Sequence, residues 1–281
     1  MSQLSAADVK KLRDMTGAGM MDCKKALEAT NNDLEAAIDY LRKLGQKLSI
    51  KRADREAKEG VVIAQTSANR NNGIIIRLSC ETDFVAKNES FIALAQQIAD
   101  AALKALPADL ETLLTTTFDG SISIGEKVLE QLAVIGEKVE VAQYEKIETA
   151  AGQGQVIPYI HMGYRAGVLV ALNLEGPDLI EVGKDTAMQV AAMKPVAVDK
   201  DGVDSTVIER EMEIAKEQSR NEGKPEEMIE KIAQGKLTRF YKDFTLLNQD
   251  FVKDGSKTVA QQLDSVKKGL TVTSFRHVTL G

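Results

Sequence analysis

Few residues in this chain are able to do chemistry. Its only histidines are His161 and His277, and its only cysteines are Cys23 and Cys80. Neither histidine stands in a ligand pattern such as His-Glu-x-x-His. Both cysteines fall in apolar contexts and read as small core residues rather than nucleophiles. Two thiols so far apart in sequence suit a reducing compartment with no disulfide framework. Asp254-Gly255-Ser256-Lys257-Thr258 has the ending of a P-loop without the glycine before the lysine or the upstream one, so the chain is not expected to hold a nucleotide itself. The acids of Asp199-Lys200-Asp201-Gly202-Val203-Asp204 are too few for an EF-hand and read as a polar turn that starts a helix. No cofactor, metal or covalent catalysis is expected.

One stretch remains, Ser79-Cys80-Glu81-Thr82-Asp83-Phe84-Val85-Ala86-Lys87-Asn88. The strand-like Ile74-Ile75-Ile76-Arg77-Leu78 precedes it and the helix-like Phe91-Ile92-Ala93-Leu94-Ala95 follows. Thr, Asp and Asn at such a junction can cap orphan N–H groups. The simplest reading is a helix start with Phe84 tucked into the core as a staple. Thr82 to Asn88, however, resembles a signature of the elongation factor Ts family, guanine-nucleotide exchange factors for the bacterial translation GTPase EF-Tu. Leu12-Arg13 and Thr16-Gly17-Ala18-Gly19-Met20-Met21-Asp22-Cys23-Lys24-Lys25-Ala26-Leu27 resembles the family's other signature. Further similar stretches follow in the family's order: Ile135-Gly136-Glu137-Lys138-Val139, Tyr159-Ile160-His161-Met162-Gly163, Gly167-Val168-Leu169-Val170 and Ser256-Lys257-Thr258-Val259.

The resemblance implies roles for particular residues. Thr82, Asp83, Phe84 and Val85 would disturb the Mg²⁺ and phosphate site of EF-Tu, Phe84 as a wedge between helices. Leu12, Met20 and Met21 would face the GTPase's nucleotide domain, and His161 would dock on a second domain. The partner would be EF-Tu in its GDP-bound and nucleotide-free forms. At the His161 loop the family carries a glycine-rich stretch, where this chain has the bulkier Met162 and Tyr164.

The elements that must position these residues can be read in order. Ser5 and Asp8 form a variant capping box ahead of a helix whose face carries Val9, Leu12 and Met15. Gly17 and Gly19 mark a turn. A second helix runs from about Met20 to Thr30, and after Asn31-Asn32-Asp33 a third carries Leu34, Ile38, Leu41 and Leu44 to a stop at Gly45. Such a bundle is close to the smallest self-sufficient core, and the resemblance implies a ubiquitin-associated-like (UBA-like) domain over 1–46. Residues 47–59, rich in both charges, read as a solvated helical linker.

From Gly60 the period changes. Gly60 to Thr66 and Gly73 to Ser79 read as strands of a hairpin turning through Asn71-Asn72-Gly73. A helix follows to Leu106, then a helical stretch from about Gly125 to Ile135, then an alternating strand edge at Lys138 to Val141. Gly73 to Glu81 echoes Gly167 to Glu175, which predicts two related α+β subdomains with small antiparallel sheets, over 60–150 and 151–281. In the echo Gly176-Pro177-Asp178-Leu179 stands where the first copy has Thr82 to Val85, so the aromatic is not required by a shared fold. Two helical patterns over about 203–242, turned by Gly223-Lys224-Pro225, predict an inserted antiparallel hairpin. It either packs on its own core or projects to touch the partner or another copy. A helix from Ser256 to Lys268 and a strand from Leu270 to Leu280 close the chain.

The fold class expected is therefore α+β: a UBA-like three-helix bundle, then two related subdomains, the second with a helical insertion. The chain has 281 residues, 36 basic against 42 acidic, and a net charge of −6. That balance argues against direct nucleic-acid binding. No apolar run approaches the roughly 20 residues a membrane span needs, and the first residues lack a signal-peptide layout, so a cytoplasmic protein is expected. Two other classes stand beside the exchange factor: an adaptor or chaperone that binds without changing nucleotide state, and an enzyme using Cys80.

Overall fold

The computed structural model describes residues 4–120 and 122–280, with backbone alone at 48, 49 and 51. Residues 1–3 and the Lys51 side chain, which entered the reading of the leader and the linker, lie outside the described residues.

Three helices come first: α1 (Ala6–Thr16), α2 (Met20–Ala29) and α3 (Leu34–Arg52). The first α+β unit holds β1 (Glu59–Thr66), β2 (Asn72–Cys80), α4 (Asp83–Ala86), α5 (Glu89–Ala105), α6 (Leu110–Thr115), β3 (Thr117–Asp119), β4 (Ile122–Ser123), α7 (Ile124–Ile135) and β5 (Val139–Glu148). The second holds β6 (Gln155–Ile160), β7 (Ala166–Leu172), α8 (Ile180–Met193), α9 (Ser205–Asn221), α10 (Glu226–Phe244), β8 (Asp250–Phe251), β9 (Asp254–Thr258), α11 (Val259–Val266) and β10 (Val272–Thr279).

Ser5 and Asp8 make the expected capping box, and Gly17 ends α1 with φ 69°. The bundle core gathers Val9, Leu12, Cys23, Ala26, Leu27, Ala37 and Leu41. Two expectations fail here. Met15 is exposed, and α3 does not stop at Gly45 but runs on to Arg52. Gly45 serves a different purpose: a β-carbon there would lie 2.8 Å from the Leu129 carbonyl oxygen, so its absence lets α3 lie close against α7.

The two subdomains share a plan. Each has a three-stranded antiparallel sheet, β1-β2-β5 and β10-β7-β6, with the echoed strand in the centre. The sheets face each other. Val62, Ala64, Ile75, Val156, Leu169, Ala171 and Val278 fill the space between them. On the outer faces, Val61, Ile63, Ile74, Ile76 and Leu78 meet α5, while Val168, Val170 and Leu172 meet α8 and α11. A central strand buried on both faces must be apolar at every position, whatever its period. This explains the unbroken runs Ile74-Ile75-Ile76 and Val168-Leu169-Val170.

The hairpin turn falls at 67–71, with the positive φ at Arg70 (58°), so Asn72 and Gly73 begin β2 instead of turning. Gly73 is there for close packing. A β-carbon would stand 2.6 Å from Val156 Cγ1, and one on Gly167, its echo, 2.7 Å from Val62 Cγ1. The two glycines thus make the same approach from opposite sheets. β5 is longer than its alternating start suggested. Ser256 to Thr258 belong to β9, since α11 starts only where Thr258 and Gln261 form a capping box. The short α6 and the β3–β4 pair had no sequence signal long enough to read.

The hairpin α9–α10 is closed by a buried seam in which Ala215, Ser219 and Ala233 alternate with the larger Ile229 and Leu237. Each helix packs chiefly on the other, and at its base α10 meets the turn at Leu246–Asn248. It therefore has its own core and also projects, so the two readings do not exclude each other. At 1.5 Å per residue, α10 reaches roughly 30 Å. Among the described residues no helix is long and apolar enough to cross a membrane.

Candidate functional site

The turn bearing Thr82, Asp83, Phe84 and Val85 begins where β2 ends. Thr82 is extended and accepts the Val85 N–H on its hydroxyl at 3.5 Å, which starts the one-turn helix α4. So short a helix has little stability of its own, because nucleation costs more than one turn returns. It is held from outside. Glu137, in the connection from α7 to β5, accepts the Thr82 N–H at 3.0 Å and the Thr82 hydroxyl at 2.7 Å. Glu81 accepts the Lys138 N–H at 2.6 Å and the guanidinium groups of Arg52 and Arg55, each at 2.8 Å. Burial alone would raise the Glu81 pKa. The Lys138 N–H and the two arginines more than offset this and hold it at about 2. Lys138 Nζ also donates to the Ala53 and Arg55 carbonyls. The segment after α3, expected to be merely solvated, is thus pinned to the end of β2 through Glu81.

Val85 and Ala86 take the core side of α4. Neighbouring helical residues point about 100° apart, so Phe84 turns away and is 84 % exposed. The staple reading fails for this reason. Asp83 is paired with Lys87 at 2.6 Å, and that ammonium holds its carboxyl below the usual carboxylate range. At the echoed turn Leu179 is fully buried in the second core and Asp178 is exposed. There the backbone of Gly176 is held by the buried Gln155 side chain, which accepts its N–H at 3.2 Å and donates to its carbonyl at 3.1 Å.

A cleft of about 450 Å³ brings Glu59, Thr82, Asp83 and Phe84 together with Gly163 and Arg165 of the β6–β7 connection. His161 opens that connection. It is exposed, and its Nδ1 lies 3.1 Å from the Tyr159 hydroxyl. Met162 stands beyond it, 86 % exposed. Gly163 and Tyr164 both have left-handed backbones (φ 73° and 58°). Tyr164 is held there by packing against the first subdomain's core. The loop therefore belongs to the second subdomain by sequence and rests on the first by contact. Nothing in the spacing of residues signalled this role of Tyr164. Glu81 and Glu137 also went unassigned; Glu81 adjoins the turn in sequence, whereas Glu137 lies 55 residues away and is brought to it by the fold.

On the bundle, Met20 and Met21 are exposed and line an apolar groove of about 530 Å³ with Leu4, Ala6 and Val9, rimmed by Lys10, Arg13 and Lys24. Leu12, expected to face a partner, is instead fully buried in the bundle core. It lies there with Val9.

The remaining candidates behave as their sequence suggested. Burial and the nearby Glu137 push the Cys80 thiol up to about 12, and burial raises Cys23 as well. Both cysteines are buried, as small core residues are, and burial disfavours the thiolate at each. Asp204 caps α9 by accepting the Thr206 N–H, and Asp199 accepts from Lys200 N and the Asn248 amide. His277 lies half-buried on β10, where burial lowers its pKa.

Comparison with known proteins agrees with this arrangement. The model of the family "Elongation factor TS" matches residues 81–281, and that of the "UBA/TS-N domain" matches residues 5–41. Elongation factor Ts of Cytophaga hutchinsonii is 51 % identical over 281 residues, covering 100 % of both chains. Elongation factor Ts of Amoebophilus asiaticus is 48 % identical over 279 residues, covering 99 % of each, and that of Flavobacterium psychrophilum 47 % over 281 residues and 100 % of each. With a three-helix bundle, two echoed α+β units and both signatures in their places, the chain belongs to the elongation factor Ts family of translation elongation factors.

Proposed function

We propose that this protein acts in the cytoplasm on EF-Tu·GDP and promotes GDP release, so that GTP can rebind. The observation that carries this reading is Phe84: a large aromatic almost wholly exposed on a braced turn, at a position where the second copy of the fold has an aspartate. GDP is held by backbone amides around its phosphates and by Mg²⁺. Phe84 enters between helices near that site, while Thr82, Asp83 and Val85 shift the magnesium coordination. The Asp83–Lys87 pair is exposed and so costs little to open.

Energetics require more than the wedge. Linkage makes the effect reciprocal: a factor that weakens GDP is weakened by GDP in the same ratio. A ratio of about 10⁴ needs about 5.5 kcal/mol of differential binding, whereas burying one aromatic contributes about 1.5–3 kcal/mol. The Met20–Met21 groove and the His161–Met162 loop supply the remaining anchorage, one on each side of the turn in sequence. The projecting hairpin α9–α10 offers a further surface, to the partner or to a second copy.

The test is stopped-flow release of a fluorescent GDP from the cognate EF-Tu, with wild type and Phe84→Ala. Acceleration by wild type that largely disappears in the variant, while the complex still forms, is expected. Absence of acceleration by wild type would favour the adaptor.

A further inference from the structure

The one-turn helix that presents Phe84 is set by a residue outside the Thr82–Val85 signature. Thr82 stands between β2 and α4, and its hydroxyl both accepts the Val85 N–H and donates to Glu137. Glu137 uses its two carboxylate oxygens on this one residue, Oε2 for the Thr82 N–H and Oε1 for the hydroxyl. The start of α4 thereby has a fixed position and a fixed rotation. Rotation decides which side chain faces out: a turn of 100° would exchange Phe84 for its neighbour. Gly136 ends α7 with φ 76° and delivers Glu137 directly to β5, so the carboxylate is carried by a short connection between two packed elements.

The adjoining contacts have a different job. Glu81 and Lys138 join the end of β2 to the segment after α3. Among the described residues only Glu137 reaches Thr82 with a side-chain carboxylate. In the second subdomain the echoed Gly176 has no side chain to hold, and the neutral Gln155 amide satisfies its backbone alone. That turn presents Asp178 to solvent and buries Leu179. The bidentate carboxylate therefore accompanies the turn with an exposed aromatic and, among the described residues, has no counterpart at the turn without one.

We propose that Glu137 is a positioning residue for nucleotide exchange, fixing the Thr82–Val85 turn so that Phe84 enters the GTPase in one orientation. This rests on the exchange reading above. Glu137 need not touch the partner. Its removal should leave the docking surfaces at Met20–Met21 and His161–Met162 in place while the wedge loses its direction.

The experiment measures GDP release against factor concentration for wild type, Glu137→Gln, Thr82→Val and Thr82→Ser, with melting temperatures and amide hydrogen exchange over residues 82–87. Glu137→Gln keeps the shape but replaces the charged acceptor by a neutral amide, whose N–H₂ turns the Thr82 hydroxyl from donor to acceptor. Losing a hydrogen bond to a charged acceptor is worth about a tenfold change or more. We expect the maximal release rate to fall about tenfold in Glu137→Gln and Thr82→Val, with the half-saturating concentration moving less than about threefold. The Val85 and Ala86 amides should exchange faster in both, and Thr82→Ser, which keeps the hydroxyl, should recover most of the rate that Thr82→Val loses. An unchanged maximal rate in Glu137→Gln, with wild type active, overturns the positioning role and leaves the exchange reading standing. So does a fall in rate matched by an equal loss of affinity and a lowered melting temperature, which is a general structural defect. Should wild type not accelerate release at all, both readings fall together. If Glu137→Gln does not fold, Thr82→Val and Thr82→Ser decide the question by the same rates.

Discussion

The same strand-to-helix turn occurs twice in this molecule and is used for opposite ends. In the second subdomain Leu179 is fully buried and Asp178 faces solvent, an ordinary division of apolar and polar residues. In the first, Val85 takes the core side, but the outward position carries Phe84, 84 % exposed. Burying a phenylalanine is worth about 1.5–3 kcal/mol, and the folded chain leaves that contribution unclaimed. The supports differ to match. A neutral amide satisfies the Gly176 backbone, whereas Glu137, with Glu81 beside it, braces Thr82. A fold that is merely stable needs only the first arrangement. The second keeps an apolar side chain displayed, which has a use only when something arrives to cover it.

The comparison breaks if the two turns respond alike to truncation. Leu179→Ala should cost about 2–5 kcal/mol of stability, as deletion from a packed core does, measured by urea unfolding. Phe84→Ala should change stability by no more than about 0.5 kcal/mol while slowing factor-stimulated GDP release by about 30-fold or more, the scale of an interface anchor. A destabilisation of 2 kcal/mol in Phe84→Ala would place that ring in the fold's own core and end the distinction.

The carboxylate bracing gives the next effect. Glu81 is held at about 2, below its unfolded value of 4.5. A depressed carboxylate contributes stability that is fully present above pH 4.5 and is lost as the pH falls toward 2. Glu81→Gln should lose about 1.5–3 kcal/mol at neutral pH and show a flatter acid limb over that window in pH-dependent unfolding. A limb as steep as wild type's would assign the acid sensitivity to other carboxylates.

Smaller again is the cost at the sheet interface. Gly73→Ala and Gly167→Ala each press a methyl group into a stiff valine of the opposite sheet. Each should lose about 1–3 kcal/mol, and the two losses should be similar if the echoed packing is truly reciprocal. Calorimetric melting of both variants decides this. The smallest effect sharpens the comparison from the other side. Asp178→Phe should alter stability by no more than about 0.5 kcal/mol and add nothing to exchange, since an exposed ring on the second turn lacks the cleft, the bracing and the neighbouring Asp83.

Much of the scaffold was legible because it obeys local rules. The capping box at Ser5, the Gly17 stop and the echo of Gly73 with Gly167 each have a mechanism confined to a few residues. Misreadings came where a residue serves a distant neighbour. Gly45 looked like a helix stop and is a helix–helix contact. Asn72-Gly73 looked like a turn and begins a strand, for the same kind of reason. Leu12 and Met15 were placed on one apolar face, yet one is wholly buried and the other exposed, because the bundle covers only part of that face.

The sequence by itself determined the family, the order of the longer elements and the position of the signature turn, because these depend on residue identity and short-range spacing. Tertiary structure alone decided that Phe84 faces out and Leu12 faces in. It alone joined Glu137 to Thr82 and set Tyr164 of one subdomain against the core of the other. The physical reason is common to all four. Exposure and bracing depend on what packs against a residue from elsewhere in the chain, and periodicity specifies only which residues share a face.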